Sequence, residues 1–279
     1  MKKIGFVDYY ISEWHANNYP AWIKEKCEEL GYDYEVAYAW AELDVSLVDK
    51  VTTDEWCAKY GVEKCNTLEE LCEKSDVILV LAPSNPEKHL EYASKVLTYK
   101  KRTYIDKTFA PDYETACKIF EIAEQYGTPF FSSSALRFAE ELNAIDDPNS
   151  MITIGGGGSI DEYIVHQCEM VVKKMGTDIT RVIANPHGTQ MFINVQFASG
   201  KEATMIYGRS MGFGAYMAAS DKEAWRPVTQ PFFKGLIKDI VSFYETGVFS
   251  FDGQETKAVI KLREMACKAS LNTGVWVEA

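Results

Sequence analysis

The chain has 279 residues, 47% of them hydrophobic and 25% charged, enough for two domains with a sizeable buried core. No low-complexity tract or short repeat points to disorder or to a solenoid. A formal net charge of -12 and a pI near 4.9 repel phosphate backbones and anionic surfaces, which excludes nucleic acid and membrane surfaces as partners.

Residues 2–8 form a short apolar run ending at Asp8, too short for a signal-peptide core or a membrane span, so a cytoplasmic protein is expected. That run predicts a strand, and Trp22, Ile23, Cys27 and Leu30 give residues 16–30 helical spacing before Gly31 stops them. Residues 34–40 predict a second strand. Thr67 with Glu70 three residues on reads as a capping box, and the nearly continuous apolar run 76–82 suits a buried parallel strand. Asn85 and Pro86 open a helix to residue 96, residues 103–106 form a strand, Pro111 begins a helix to 126, and 129–133 form a further strand. This βαβα alternation implies a Rossmann-like, doubly wound parallel sheet whose ligands lie outside the strand carboxyl ends, at the loops after Asp8, Ala82 and Asp106.

Around residue 134 the pattern changes. A helix over 135–144, a break at Asp146-Asp147-Pro148-Asn149, a glycine run and a helix over 160–175 are expected, then strand-like sequence from Arg181. Residues 192–198 and 203–207, joined by Ser199-Gly200, read as an antiparallel hairpin, and amphipathic helices over 231–246 and 255–272 close the chain. The fold class is therefore α/β, with a first domain over 1–134 and an α+β domain with a mixed, mainly antiparallel sheet over 135–279. Seven cysteines, Cys27, Cys57, Cys65, Cys72, Cys117, Cys168 and Cys267, are odd in number and contain no CxxC pair, which favours reduced thiols over a disulfide or zinc framework. No HExxH or similar metal pattern occurs.

The segments DVILVLAPSNPEKHLEYA and YIDKTFAPDYETACKIFEIAEQYGTPFF resemble the glucose-fructose oxidoreductase and inositol dehydrogenase family, Gfo/Idh/MocA. One strand ends in Ala82-Pro83, a helix starts with Pro86-x-x-His89, and the next strand ends in the acid-lysine pair Asp106-Lys107. The resemblance is strongest over 76–131 and holds in outline to the end of the chain. It implies NAD or NADP bound in the first domain, near Asp8, Tyr9, Tyr10, Ala82, Pro83, Ser84, Asn85, His89, Asp106 and Lys107. It also implies a sugar-like or polyol alcohol as the small-molecule substrate of the second domain, and a homo-oligomer.

Two departures from the family pattern matter. Where the family has G-x-G-x-x-G, this chain has Asp8-Tyr9-Tyr10-Ile11-Ser12-Glu13. The glycines permit a tight turn, close approach of the backbone to the pyrophosphate, and close helix packing. Tyr10 and Glu13 add bulk there, and the carboxylates of Asp8 and Glu13 repel phosphates by an amount on the order of a few kcal/mol in a cleft. Either the loop takes another shape with Tyr9, Tyr10 and Trp14 packed inside and the cofactor held by other contacts, or Asp8, Glu13 and His15 form a new polar site. The second departure is Asp106-Lys107-Thr108 in place of Glu-Lys-Pro, which removes the proline that would fix the direction of the lysine.

Alcohol oxidation needs a base within reach of the hydroxyl. Glu162 and His166 stand at i and i+4, with Glu169 three residues further on, hence on one helix face. Taken alone they also fit a surface pair worth a few tenths of a kcal/mol. The family pattern Asp-x-Gly-x-His has its counterpart in Glu162, Ile164 and His166, after the glycine-rich entry at 155–159. The resemblance implies that His166 accepts the hydroxyl proton, Glu162 favours the imidazolium that develops, and Lys107 polarises the oxygen. The glycine run reads as a flexible hinge rather than a phosphate cradle, and His89 also fits a structural role. His187 reads as a turn residue, and Trp14, Trp40, Tyr207 and Trp225 as core or as sugar-stacking surfaces. The competing function is a non-redox enzyme, or a small-molecule binding or regulatory protein, on the same fold without the dinucleotide.

Overall fold

The computed structural model describes every residue except Gln230. It consists of two compact units, Met1–Ser133 with Leu236–Ser250, and Ser134–Gly235 with Phe251–Ala279.

The first unit alternates strand and helix: β1 Lys2–Asp8, α1 Trp14–Leu30, β2 Tyr34–Ala41, α2 Thr53–Tyr60, β3 Glu63–Lys64, α3 Leu68–Lys74, β4 Val77–Val80, α4 His89–Val96, β5 Thr103–Ile105, α5 Tyr113–Tyr126 and β6 Phe130–Phe131. The strands form one parallel sheet in the order β3-β2-β1-β4-β5-β6. All four residues of β4 are buried, which explains its unbroken apolar sequence. The strand order reverses between β1 and β4, so the loops leaving Asp8 and Val80 lie side by side at the position where such sheets bind ligands. Gly31 ends α1 at φ 70°, its N–H donating to the Cys27 carbonyl.

Three local features differ from expectation. α2 carries a complete capping box, Thr52 with Glu55, in a stretch where no helix was expected. At Thr67 only half of a box forms: its hydroxyl caps Glu70 N, but the Glu70 carboxylate accepts from Asn66 N instead. The residues Pro86–Lys88 form a 3-10 turn ahead of α4.

In the second unit residues 135–144 form two 3-10 helices, Ala135–Phe138 and Glu140–Ala144, rather than the expected single helix. There follow β7 Ser150–Gly155, α6 Ile160–Met175, β8 Ile179–His187, β9 Gln190–Phe197, β10 Glu202–Gly208, β11 Gly214–Ala218 and β12 Glu223–Pro227. After α7, Phe232–Thr246, come α8 Gly253–Leu271 and β13 Val277–Glu278. The sheet order is β12-β11-β7-β10-β9-β8-β13. Among the described residues of this sheet only β7 and β10 pair in parallel. The core is formed by Ile164, Cys168 and Val171 of α6 and Val259, Leu262 and Ala266 of α8 against Val182, Ile193, Met205 and Met217 of the sheet.

From Leu236 onward α7 belongs to the first unit. There Tyr244 donates to the Ile78 carbonyl at 2.7 Å, Phe243 packs edge-on to Phe131 at 5.1 Å, and Arg102 donates to the Tyr244 and Glu245 carbonyls at 2.6 and 2.9 Å. Among the described residues no helix is long and apolar enough to cross a membrane.

Candidate functional site

At the carboxyl end of β1 the chain turns from Asp8 into α1. The first N–H groups of a helix have no partner within it, and here the Glu13 carboxylate takes two of them, accepting from His15 N at 2.8 Å and from Ala16 N. Burial raises the Glu13 carboxyl above its ordinary value, with His15 and the two backbone donors opposing. The His15 side chain points the other way in charge: Nδ1 lies 2.8 Å from Asp106 Oδ2 and 4.0 Å from Glu13 Oε2. Asp106, at the end of β5, also accepts from Tyr104 Oη at 3.1 Å and from Lys107 N at 2.8 Å. Burial pushes the Asp106 carboxyl up, but the positive charge of His15 and Lys107 outweighs it and holds the group below its ordinary value.

Asp8 is 1% exposed. Its Oδ1 accepts from Tyr9 N at 2.7 Å and from Ala82 N at 3.1 Å, whereas Oδ2 is buried without a hydrogen-bond partner. Burial, then the nearby Glu13 charge, raises this carboxyl well above its ordinary value. Ala82 itself sits at φ 54°, a conformation uncommon outside glycine. The loop is tied down from the far side too: Ser12 Oγ donates to Asp49 at 2.8 Å, and Ser46 Oγ donates to the Ser12 carbonyl at 2.8 Å.

The other residues expected near a cofactor are all in the first unit. Tyr9 and Tyr10 are half-buried with rings 5.9 Å apart, and Lys88 Nζ stands 5.4 Å above the Tyr9 ring. Trp14 is 53% exposed, so it does not fill the loop as expected. Pro83 is buried, Ser84 exposed, and Asn85 donates to Glu87 at 2.9 Å. Lys107 reaches the Pro83 carbonyl at 3.4 Å, and the Lys107–Thr108 peptide is cis. His89 is fully buried, with Nδ1 3.0 Å from the Phe109 carbonyl and Nε2 2.6 Å from the Leu81 carbonyl. Both ring nitrogens are committed to backbone, so His89 braces the ends of β4 and β5 and has none left for a ribose.

In the second unit Ser159 caps α6 by accepting from Glu162 N at 3.3 Å. Glu162 and His166 lie one turn apart and are both half-buried. His166 Nδ1 is 2.6 Å from Ser134 Oγ, and Phe213 and Tyr163 flank the ring edge-on at 5.6 and 5.8 Å. Glu169 is buried and accepts from Ser134 N at 2.9 Å while pairing with Arg137 at 3.3 Å; Arg137 continues to Glu255. Gln167, fully buried, accepts from Thr153 at 2.7 Å and donates to the Gly155 and Ile206 carbonyls at 3.0 and 3.2 Å, which fixes the rotation of α6 against β7 and β10. The glycine run is a packing device rather than a hinge: a Cβ on Gly156 would lie 1.9 Å from the Gly208 carbonyl oxygen, and one on Gly157 would lie 2.2 Å from the Tyr163 ring.

Residues 43–133 match the family model for Gfo/Idh/MocA, described as an oxidoreductase family with an NAD-binding Rossmann fold. The resemblance to Gfo/Idh/MocA holds. The Gfo/Idh/MocA match begins after the Asp8–Glu13 loop. No relative was found among curated proteins. Solved structures share the fold over the whole chain. A probable dehydrogenase from Thermotoga maritima is 14% identical, with a TM-score of 0.80, covering 99% of this chain and 98% of that one. UDP-N-acetylglucosamine 3-dehydrogenase GnnA from Acidithiobacillus ferrooxidans is 11% identical, with a TM-score of 0.75 and coverage of 96% and 97%. GenD2 from gentamicin A biosynthesis, solved in complex with NAD, is 12% identical, with a TM-score of 0.76 and coverage of 100% and 97%.

Against the Gfo/Idh/MocA family's cofactor the β1–α1 loop does not fit. The N–H groups that would face a pyrophosphate are capped by Glu13, and Asp8 and Tyr10 occupy the other two glycine positions. In the second unit the His166 ring is fixed through Nδ1 by the Ser134 hydroxyl. Sequence reading missed Ser134 and Arg137. The available signal was the polar run Ser132-Ser133-Ser134 following an apolar strand, all three serines being buried.

Proposed function

We propose that this protein acts on a hydroxyl group of a sugar-like or polyol small molecule, with His166 exchanging the proton. The observation that carries this reading is the 2.6 Å contact between His166 Nδ1 and Ser134 Oγ, which fixes the orientation of the ring on a rigid helix. Glu162 one turn earlier favours the imidazolium as it forms, and Lys107, after β5, polarises the substrate oxygen. The family description and the sugar-nucleotide dehydrogenase among the fold relatives support the substrate class.

As an NAD(P)-dependent oxidoreductase the protein would also need a nicotinamide to take the hydride; the family description supports that reading. The Glu13 cap favours the second reading, a non-redox enzyme or small-molecule binding protein of the same fold. The cytoplasm is the proposed setting, in keeping with seven free cysteines, five of them buried.

The test is a thermal-shift and turnover screen over sugars, sugar nucleotides and cyclitols. His166→Ala is expected to reduce turnover of any hit by about 100-fold or more, the usual range for loss of a general base, with little change in unfolding temperature. Wild-type turnover in His166→Ala would rule out the assignment of His166.

A further inference from the structure

The anion site of a doubly wound sheet exists because the first helix presents unpaired N–H groups, with its positive dipole end, to the strand end. In this protein two of those groups, His15 N and Ala16 N, are already satisfied by a carboxylate. We infer that the chain takes no dinucleotide at the end of β1, because Glu13 is the resident anion of the α1 N-terminus and the surrounding loop is built to keep it there.

Four observations converge on this. Glu13 accepts from both His15 N and Ala16 N and is 8% exposed, so a phosphate would have to expel it into a buried setting. His15, a basic group of this loop, is held by Asp106 at 2.8 Å and so does not supply net positive charge. Asp8, at the first glycine position, keeps its carboxyl between β1 and β4 by accepting from Ala82 N, so it fills the space and takes the backbone donor that a phosphate would use there. The Ser12 backbone and hydroxyl are bound by Ser46 and Asp49, so the segment between Asp8 and Glu13 is braced by the loop after β2. The inference is independent of the role of His166.

Calorimetric titration of the wild-type protein with NAD+, NADH, NADP+ and NADPH is expected to give no saturable binding up to about 1 mM; micromolar binding of any of the four would overturn the inference. A second arm uses inorganic pyrophosphate as the probe in thermal unfolding. Millimolar pyrophosphate is expected to raise the Tm of Glu13→Gly, whose helix start is uncovered, and to leave the wild type unchanged. An equal shift in both proteins, or none in a folded Glu13→Gly, would overturn the assignment of Glu13 as the resident anion. Should Glu13→Gly not fold, the wild-type titration decides.

Discussion

A buried carboxyl with one oxygen lacking a partner gains by staying protonated, and Asp8 is such a group. Its raised value has a definite sign for stability. The folded state holds the Asp8 proton more tightly than the unfolded chain does, so this contribution is complete below the ordinary carboxylate range and is lost as pH rises through the raised folded value. Asp8→Asn keeps an Oδ1 acceptor for Tyr9 N and Ala82 N and cannot ionise. The Tm of Asp8→Asn relative to wild type is therefore expected to climb as pH rises from about 4, the ordinary aspartate value, through the raised folded value. Glu13, whose carboxyl is also raised by burial, is unchanged in both proteins, so a residual slope common to both remains. Parallel curves for the two proteins would mean that Asp8 is ionised in the fold throughout.

Elements carry the next level of constraint, and the entry to α6 is the clearest case. β7 and β10 run parallel up to the pairing of Gly155 with Tyr207, and the chain then passes so close to Gly208 that Gly156 has no room for a side chain. Gly156→Ala should destabilise the protein by about 3 kcal/mol or more, since the clash is with backbone that cannot rotate away. Chemical denaturation is the measurement, and a change under about 0.5 kcal/mol, typical of an unconstrained surface site, would restore the hinge reading. Sequence gave no access to this contact because a glycine run looks alike whether it is mobile or pressed against a neighbouring strand. The same limit hides the role of Glu13: an acid ahead of a helix reads as an ordinary cap until its competitor for that position is considered. By contrast the parallel sheet was legible in residues 76–82, whose nearly continuous apolar run suits a strand buried on both faces, and α6 was legible in its cap and period. The stretch 135–144 misled because its apolar residues, Leu136 and Leu142 among them, are buried by 3-10 turns whose side-chain spacing resembles that of a short helix. Helical periodicity likewise gave the extent of α7 but not which sheet it packs on, since a period describes a face and not its partner.

At the scale of the whole molecule, the seven-stranded sheet has one face covered by α6 and α8. On the other face, register aligns Trp225, Tyr216, Ile152, Thr204 and Asn194 across five strands, and the next row aligns Ile154, Ile206 and Phe192. Ile152 is 38% and Trp225 46% exposed. The row is apolar at Trp225, Tyr216 and Ile152 and polar at Thr204 and Asn194; exposed apolar side chains on a sheet face are a recurrent mark of self-association, and we propose that this face joins copies of this chain, as the family resemblance implies. Light scattering after gel filtration is expected to give a multiple of 31.5 kDa. Ile152→Asp, which puts a charge in the middle of the row, should move the mass toward a single chain without loss of helical signal, because the residue contributes nothing to the α6–α8 core. A wild-type protein that elutes as a clean monomer at micromolar concentration removes the homo-oligomer. A multimer indifferent to Ile152→Asp places the interface elsewhere on the chain.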